Sequence, residues 1–497
     1  MERTSGYSLM FDRFWHLLVG PPLPTQQLTF RRLNKIRALA AFSPDALSSI
    51  AYANQEIYLG LIAAGSAGLA LAFPVGLTIA GVLVIVALSY FQTIHGYPGG
   101  GGSYTVAREN LGTLPGLFAA AALVVDYVLT AAVSLTAGVA AIASAFPVLW
   151  EHKVIVALSL LLVITLINLR GLKETGTAMA VPVYFFLIVY LLMLMFGLVK
   201  LIAEGYGNLN AVAPPAAEPL TLFLVLHAFA TGSTALTGIE AISNGVPAFK
   251  PPEARNAGRT LIVMAVLMTI LFVGSIGLTH ALAVIPRTDE TILSALARRI
   301  LGSGFLYLLV QISTLLILMV ATNTSFAGFP NLAAILARDG FMPRQLAGLG
   351  DRLVYSNGII ALALATGVLI VLFGGDSHAL IPLFAVGAFL AFTLSQAGMV
   401  IHWWRMRGQG WWAKSLINGI GGLSTGLTML VVGISKFIEG AWITLLFIPL
   451  LVLWFLKVNS HYREIASELS LSNGPRPQRK LPPRPRIVIP ISGVHRG

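Results

Sequence analysis

The 497-residue chain contains no cysteine, and only 10% of its residues are charged. Without cysteine there is no disulfide framework, thiolate metal site or cysteine nucleophile, and redox chemistry says nothing of its compartment. An ordinary soluble domain carries roughly 25% charged residues. Here 56% of residues are hydrophobic and the mean hydropathy is +0.82. Too few charges remain to cover a soluble surface, so most of the chain reads as lipid-solvated helix. No metal-ligand cluster, cofactor motif or catalytic spacing of Ser, His and Asp occurs, which argues against an enzyme and against a resident cofactor. The net charge of +12 suits loops facing anionic membrane lipids better than a nucleic-acid partner. Polar and basic residues run through Arg37 before the first long apolar stretch, unlike a cleavable signal.

About twelve segments are apolar and long enough to cross a bilayer, near 38–62, 70–92, 114–146, 153–168, 176–203, 220–246, 259–285, 304–332, 357–374, 379–402, 415–434 and 440–457. All should be helical, because lipid leaves open sheet edges unsatisfied. With the N-terminus inside, only Lys153, Lys200, Arg287, Arg298, Arg299 and Lys436 of the 32 basic residues fall outside. That bias predicts a multi-pass protein of the plasma (inner) membrane with both termini cytoplasmic. The expected organisation is an N-terminal segment, 1–37, a transmembrane domain, 38–457, and a cytoplasmic Pro/Arg-rich tail, 458–497.

Two segments do not read as continuous helices. The first contains Phe42-Ser43-Pro44-Asp45, where Pro44 removes a donor. The sixth contains Thr231-Gly232-Ser233-Thr234-Ala235-Leu236-Thr237-Gly238-Ile239-Glu240. Interruptions in the first helix of each of two five-helix halves predict an inverted repeat with a binding site at the repeat interface. The run Gly96-Tyr97-Pro98-Gly99-Gly100-Gly101-Gly102-Ser103 follows the second segment. No strand precedes it and no Lys-Ser/Thr pair follows, so it predicts a hinge or tight turn rather than a phosphate loop. After a Pro/Arg-rich linker at 474–486, residues 487–493 read as one β-strand, the expected start of a further domain.

Four acids fall inside predicted spans: Asp45, Glu56, Asp126 and Glu240, none with an obvious basic partner at its depth. Such residues must face a cavity, stay protonated or meet a cation. Asp126, Thr130 and Ser134 recur every four residues and line one face, with Tyr127 beside them. Asp45 and Tyr52 share a face of the first segment, and Thr237 and Glu240 lie three apart in the second break. A carboxylate-bearing ligand would meet like charge here. A desolvated cation would gain oxygen ligands from carboxylates, hydroxyls and freed carbonyls. The pattern therefore predicts a cationic substrate, and protonation of one acid would couple its movement to a proton gradient.

The run Phe42-Ser43-Pro44-Asp45-Ala46-Leu47-Ser48-Ser49-Ile50-Ala51-Tyr52 resembles the first-helix signature of KimA-type potassium importers. These belong to the KUP potassium-uptake group of the amino acid–polyamine–organocation superfamily. Asp126-Tyr127-Val128-Leu129-Thr130, Thr237–Gly245 and Ile381–Gly387 extend the resemblance over nearly all of the membrane part. It implies a LeuT-like 5+5 inverted repeat plus two helices, import of potassium with protons, and a homodimer in membrane lipid. By the same resemblance, potassium ligands would fall on Asp45, Tyr52, Asp126, Tyr127, Thr130 and Ser134, with Thr237 and Glu240 in a second cluster. Phe384 stands where the family would place a tyrosine, which removes one hydroxyl contact. The family's cytoplasmic α/β domain, implied to dimerise and bind cyclic di-AMP, is expected to be absent beyond its first strand. An amino-acid or polyamine permease of the same fold is the alternative, but Ser-Pro-Asp replaces the glycine-rich break that would expose backbone amides to a substrate carboxylate.

Overall fold

The computed structural model describes residues 20–21, 32–171, 179–287 and 289–469, and the tail strand and linker expected at 474–493 lie outside them. The described residues form helices and turns, with one isolated parallel bridge between Leu33 and Phe249. The principal helices are α1 (Lys35–Phe42), α2 (Pro44–Leu61), α3 (Ala72–Gly96), α4 (Ser103–Leu111), α5 (Thr113–Ala145), α6 (Lys153–Leu169), α7 (Ala180–Glu204) and α8 (Leu222–Gly232). They continue with α9 (Glu240–Asn244), α10 (Glu253–Ala281), α11 (Ile292–Leu301), α12 (Phe305–Arg338), α13 (Ser356–Leu372), α14 (Ser377–Met406), α15 (Trp411–Ser435) and α16 (Trp442–Leu469).

Among the described residues, nine helical stretches are long and apolar enough to cross a membrane, counting Leu222–Asn244 as one. Two shorter apolar helices are α6 and α13. The protein is a polytopic α-helical membrane protein. Every expected segment coincides with one of these helices or with the α1–α2 pair to within a few residues, except that the last continues from the expected 457 to Leu469. α5 is the most buried of the nine and runs through the centre of the bundle, while α15 and α16 are among the most lipid-facing. The 33 residues of α5 extend about 50 Å at 1.5 Å per residue, longer than the ~30 Å hydrocarbon layer. Two helices appear where loops were expected. α4 follows the glycine run, and the amphipathic α11 lies between α10 and α12.

The two broken helices pack directly on one another. An ideal Cβ at Gly60 would stand 2.9 Å from the Ala228 Cα, so α2 and α8 approach backbone to backbone. Small residues permit such contacts in membranes, where packing rather than water exclusion holds helices together. Replacing Gly60 with valine forces these backbones apart. Gly60→Val is expected to destabilise the protein by about 1–3 kcal/mol, read as a lower melting temperature in detergent, whereas Gly81→Val, which meets open space, should melt like the wild type.

Candidate functional site

The two breaks differ in extent. The first is confined to Ser43, whose backbone stays near helical at φ −94°, ψ −12°. Pro44 follows as the first residue of α2, where a missing donor costs nothing. The second is wider. A 3₁₀ turn at Ser233–Leu236 leads to an extended Thr237 (φ −76°, ψ 161°) and to Gly238 at φ +83° before α9 begins. Gly238 presses on the start of α2, because a Cβ there would overlap the Ala46 amide nitrogen. Ser49 Oγ reaches the Ala235 carbonyl at 3.4 Å. The gap in one helix is thus seated against the gap in the other.

This arrangement places two acids at new helix starts. Asp45 lies in the first turn of α2 and Glu240 in the first turn of α9. A helix N-terminus favours a carboxylate, strongly for the 18 residues of α2 and weakly for the short α9. Asp126 comes from the middle of α5. Asp45, Asp126 and Glu240 are 8%, 3% and 4% exposed. They are near enough for Asp45 and Glu240 to act on Asp126, and none of the three joins an ion pair among the described residues. Asp126 Oδ1, Thr130 Oγ1 and Glu240 Oε2 are buried with no hydrogen-bond partner among the described residues. Groups left in that condition carry an unreturned desolvation cost, which a cation lying among them repays.

The other expected residues gather around the acids. Tyr52 lies close to Asp45, Asp126 and the Thr237 side chain. Tyr127 lies close to all three acids, and Gly328 on α12 leaves room for its ring. Thr130 and Ser134 are buried on the Asp126 face of α5, while the Thr237 hydroxyl donates to the Thr234 carbonyl at 2.9 Å. Phe384 is fully buried in α14, one turn before Gly387. An ideal Cβ at Gly387 would lie 3.2 Å from the Ala122 carbonyl, one turn before Asp126. Among the described residues, no group of three His, Asp or Glu is placed to grip one metal ion together. A cation here would therefore be held by one or two acids and by neutral oxygens.

Glu56 departs from expectation. It has a basic partner after all: His378 Nδ1 on α14 bonds its carboxylate. Gln55 Nε2 donates to His378 Nε2 at 3.0 Å, so the ring proton sits on Nδ1 and points at Glu56. Gln55 Oε1 in turn accepts from the Ile292 amide at 3.2 Å. A small cavity lined by Tyr52, Gln55, Thr291, Thr314, Ser377 and His378 lies under this cover. Sequence reasoning could not find the pair, since 322 positions separate its members. It also passed over Tyr90, a buried hydroxyl on α3 that faces Glu240 and Asp126; a tyrosine in an otherwise apolar span was the available signal.

The opposite end of the site is closed by the N-terminal segment. Leu33 exchanges backbone hydrogen bonds with Ala248 and Lys250 at 2.7 and 3.0 Å. Phe42 stacks on Phe249 at 5.6 Å, and Arg32 pairs with Glu253. Arg108 and Tyr104 on α4 both bond Asp339 at the end of α12. The glycine turn docks on α9 through the Gly101 amide to Ser243 carbonyl bond, 3.2 Å.

Gly238→Ala is expected to cost at least about 1–3 kcal/mol, since it places a side chain in a left-handed conformation against the Ala46 backbone. A melting temperature unchanged from wild type would contradict this packing.

The amino acid permease family pattern matches residues 37–456. Over 488 residues, 98% of this chain and 80% of the relative, the chain is 43% identical to the potassium transporter KimA of Bacillus subtilis (strain 168). The protein belongs to the amino acid permease family, alongside that potassium transporter.

Proposed function

We propose that this protein is a secondary transporter that moves potassium across the membrane together with protons. It is not an enzyme. The observation that carries the reading is the cluster of three buried, unpaired acids at the meeting point of two helix breaks, with hydroxyl oxygens left open beside them. Its likeness to a potassium transporter over nearly its whole length supports the choice of ion.

In this reading Asp45, Tyr52, Asp126, Thr130 and Ser134 bind the ion, with Tyr127 beside them. Thr237 and Glu240 supply the second cluster, and Phe384 lines the path. The charges suit a small cation whose hydration shell is replaced by oxygens. An amino-acid substrate is disfavoured because its carboxylate would face Asp45 at the break. The α1–α2 pair, α6 and α13 also cross the membrane, making twelve spans, with the first ten arranged as two inverted five-helix repeats. Residues 38–457 form the transporter domain. The face carrying Leu33 and the glycine turn is cytoplasmic, as the bias of basic residues favours, and residues 1–37 and 458–497 lie on that side.

Asp45→Asn and Asp126→Asn are each expected to reduce potassium uptake at least about tenfold, equivalent to about 1.4 kcal/mol in the rate-limiting barrier, without loss of membrane insertion. The measurement is growth of a potassium-uptake-deficient bacterium at limiting potassium, with immunoblotting of membranes. Wild-type rescue by either variant would remove that residue from the site, and no rescue by the wild-type chain would sink potassium as substrate. Phe384→Tyr is expected to shift the half-saturating potassium concentration with little change in melting temperature. An unaltered concentration dependence would place residue 384 outside the ion path.

A further inference from the structure

A second set of buried oxygens lies between the acids and the glycine turn. Tyr90 Oη on α3, Ser103 Oγ at the start of α4, Ser395 Oγ on α14 and Asn244 Oδ1 at the end of α9 have no hydrogen-bond partner in good geometry among the described residues. Glu240 Oε2 joins them. The Tyr90 hydroxyl lies beside the side chains of Ser103 and Ser395 without meeting hydrogen-bond geometry to either, and Glu240 is the charge that acts on it most. Asn244 stands one turn beyond Glu240, near Gly102.

The surroundings hold these groups in place. Phe392 meets the Tyr90 ring edge-on at 5.6 Å. The neighbouring residues Ser89 and Gln396 bond each other, and Asn418 donates to Gln396 Oε1 at 2.6 Å, which locks α3 and α14 in register. The arrangement is costly as pure scaffold. Buried hydroxyls that lie side by side without good hydrogen-bond geometry regain little of the hydration they lose. Close by, Asn418 on α15 donates to Ser89 Oγ at 2.9 Å and to Gln396 Oε1, so Ser89 and the Gln396 carbonyl are satisfied where the Tyr90 hydroxyl is not.

The Tyr90, Ser103 and Ser395 hydroxyls lie together, the Glu240 carboxylate acts on Tyr90, and Asn244 Oδ1 lies near Gly102, which precedes Ser103; together they supply the kind of oxygens a dehydrated monovalent cation takes. We propose that Glu240, Tyr90, Ser103, Ser395 and Asn244 form an inner cation site, through which the ion leaves the acid cluster toward the face bearing the glycine turn. This rests on the transport reading above. The site contains one carboxylate, Glu240, which it shares with the outer cluster, where Asp45 and Asp126 add two more. The N-terminus of α4 at Ser103 also opposes a positive charge. The ion is therefore held more weakly here than between the acids, as a release step requires. Glu240 belongs to both sets and hands the ion from one to the other.

The test compares wild type, Tyr90→Phe and Ser395→Ala, purified and reconstituted, using radioactive rubidium for equilibrium binding and for uptake into liposomes. Wild type is expected to bind a tight and a weak rubidium ion. Each variant should lose the weak component and keep the tight one. Its maximal uptake rate should fall about tenfold, with half-saturation within about twofold of wild type. A merely structural defect would instead weaken the tight component or lower the melting temperature. Variants that match wild type in rate and in weak binding would overturn the inner site, as would loss of the tight component in a variant that melts normally. If Tyr90→Phe does not fold, Ser395→Ala decides alone. A wild-type chain that neither binds nor transports rubidium would overturn the transport reading itself, a result distinct from unchanged variants of an active protein.

Discussion

Carboxylates buried in a low-dielectric bundle without a fixed counter-cation set the terms for the rest of this structure. An acid at the centre of a spanning helix costs about 2.5–3.5 kcal/mol on insertion scales. The protein could have answered with a lysine or arginine at the same depth, and the described residues contain no such pair for Asp45, Asp126 or Glu240. It answers with backbone. Breaking two helices inside the membrane creates two helix starts, and Asp45 and Glu240 occupy them. The compensation is partial, since a helix end is worth only half a charge. What is left over is available to a mobile cation, and a fixed salt bridge would have consumed it.

Helix breaks in lipid are tolerated only where protein covers the freed backbone groups. That requirement explains the close packing of α2 on α8. Gly60 meets Ala228, Gly232 meets Ile57 and Gly238 meets Ala46, so three glycines bring α2 against α8 and the second break. Gly238 also supplies a conformation that other residues adopt only at a cost. Packing and electrostatics are therefore one constraint. The acids need the breaks, the breaks need cover, and the cover needs residues without side chains.

Much of this was legible because lipid makes the code simple. Spans follow from runs of apolar residues, and Pro44 and Gly238 announce the breaks in plain text. The stripe Asp126, Thr130, Ser134 follows from helical periodicity alone. The width of each break was not legible. Ser43 interrupts its helix by a single residue despite the proline, because Pro44 begins a helix as comfortably as it ends one. α4 and α11 were missed because both are polar enough to pass for loops. The Glu56–His378 pair joins residues that only the fold makes neighbours. Tyr90 was overlooked because a lone tyrosine in an apolar span reads equally as packing, and only the absence of a partner for its hydroxyl distinguishes it.

The two ends of the site are closed by different physics. At one end the closure is a buried acid bonded to a half-exposed histidine, braced by Gln55 against the backbone of α11. Removing that histidine leaves a buried carboxyl without its partner, so the closure is stiff. At the other end Arg32–Glu253 and Arg108–Asp339 are partly exposed ion pairs, each weak and screened by salt. Two backbone hydrogen bonds from Leu33 add to them and tie the chain before α1 to the chain after α9. Those are the two half-helices on that side of the breaks, so opening that end moves α1 and α9 as a pair or tears the bridge between them. The hinges for such a movement are already present in Ser43 and Gly238, the residues that seat the acids. Under the transport reading proposed above, opening would displace the backbone beneath Asp45 and Glu240, so that ion affinity and access would change in one step.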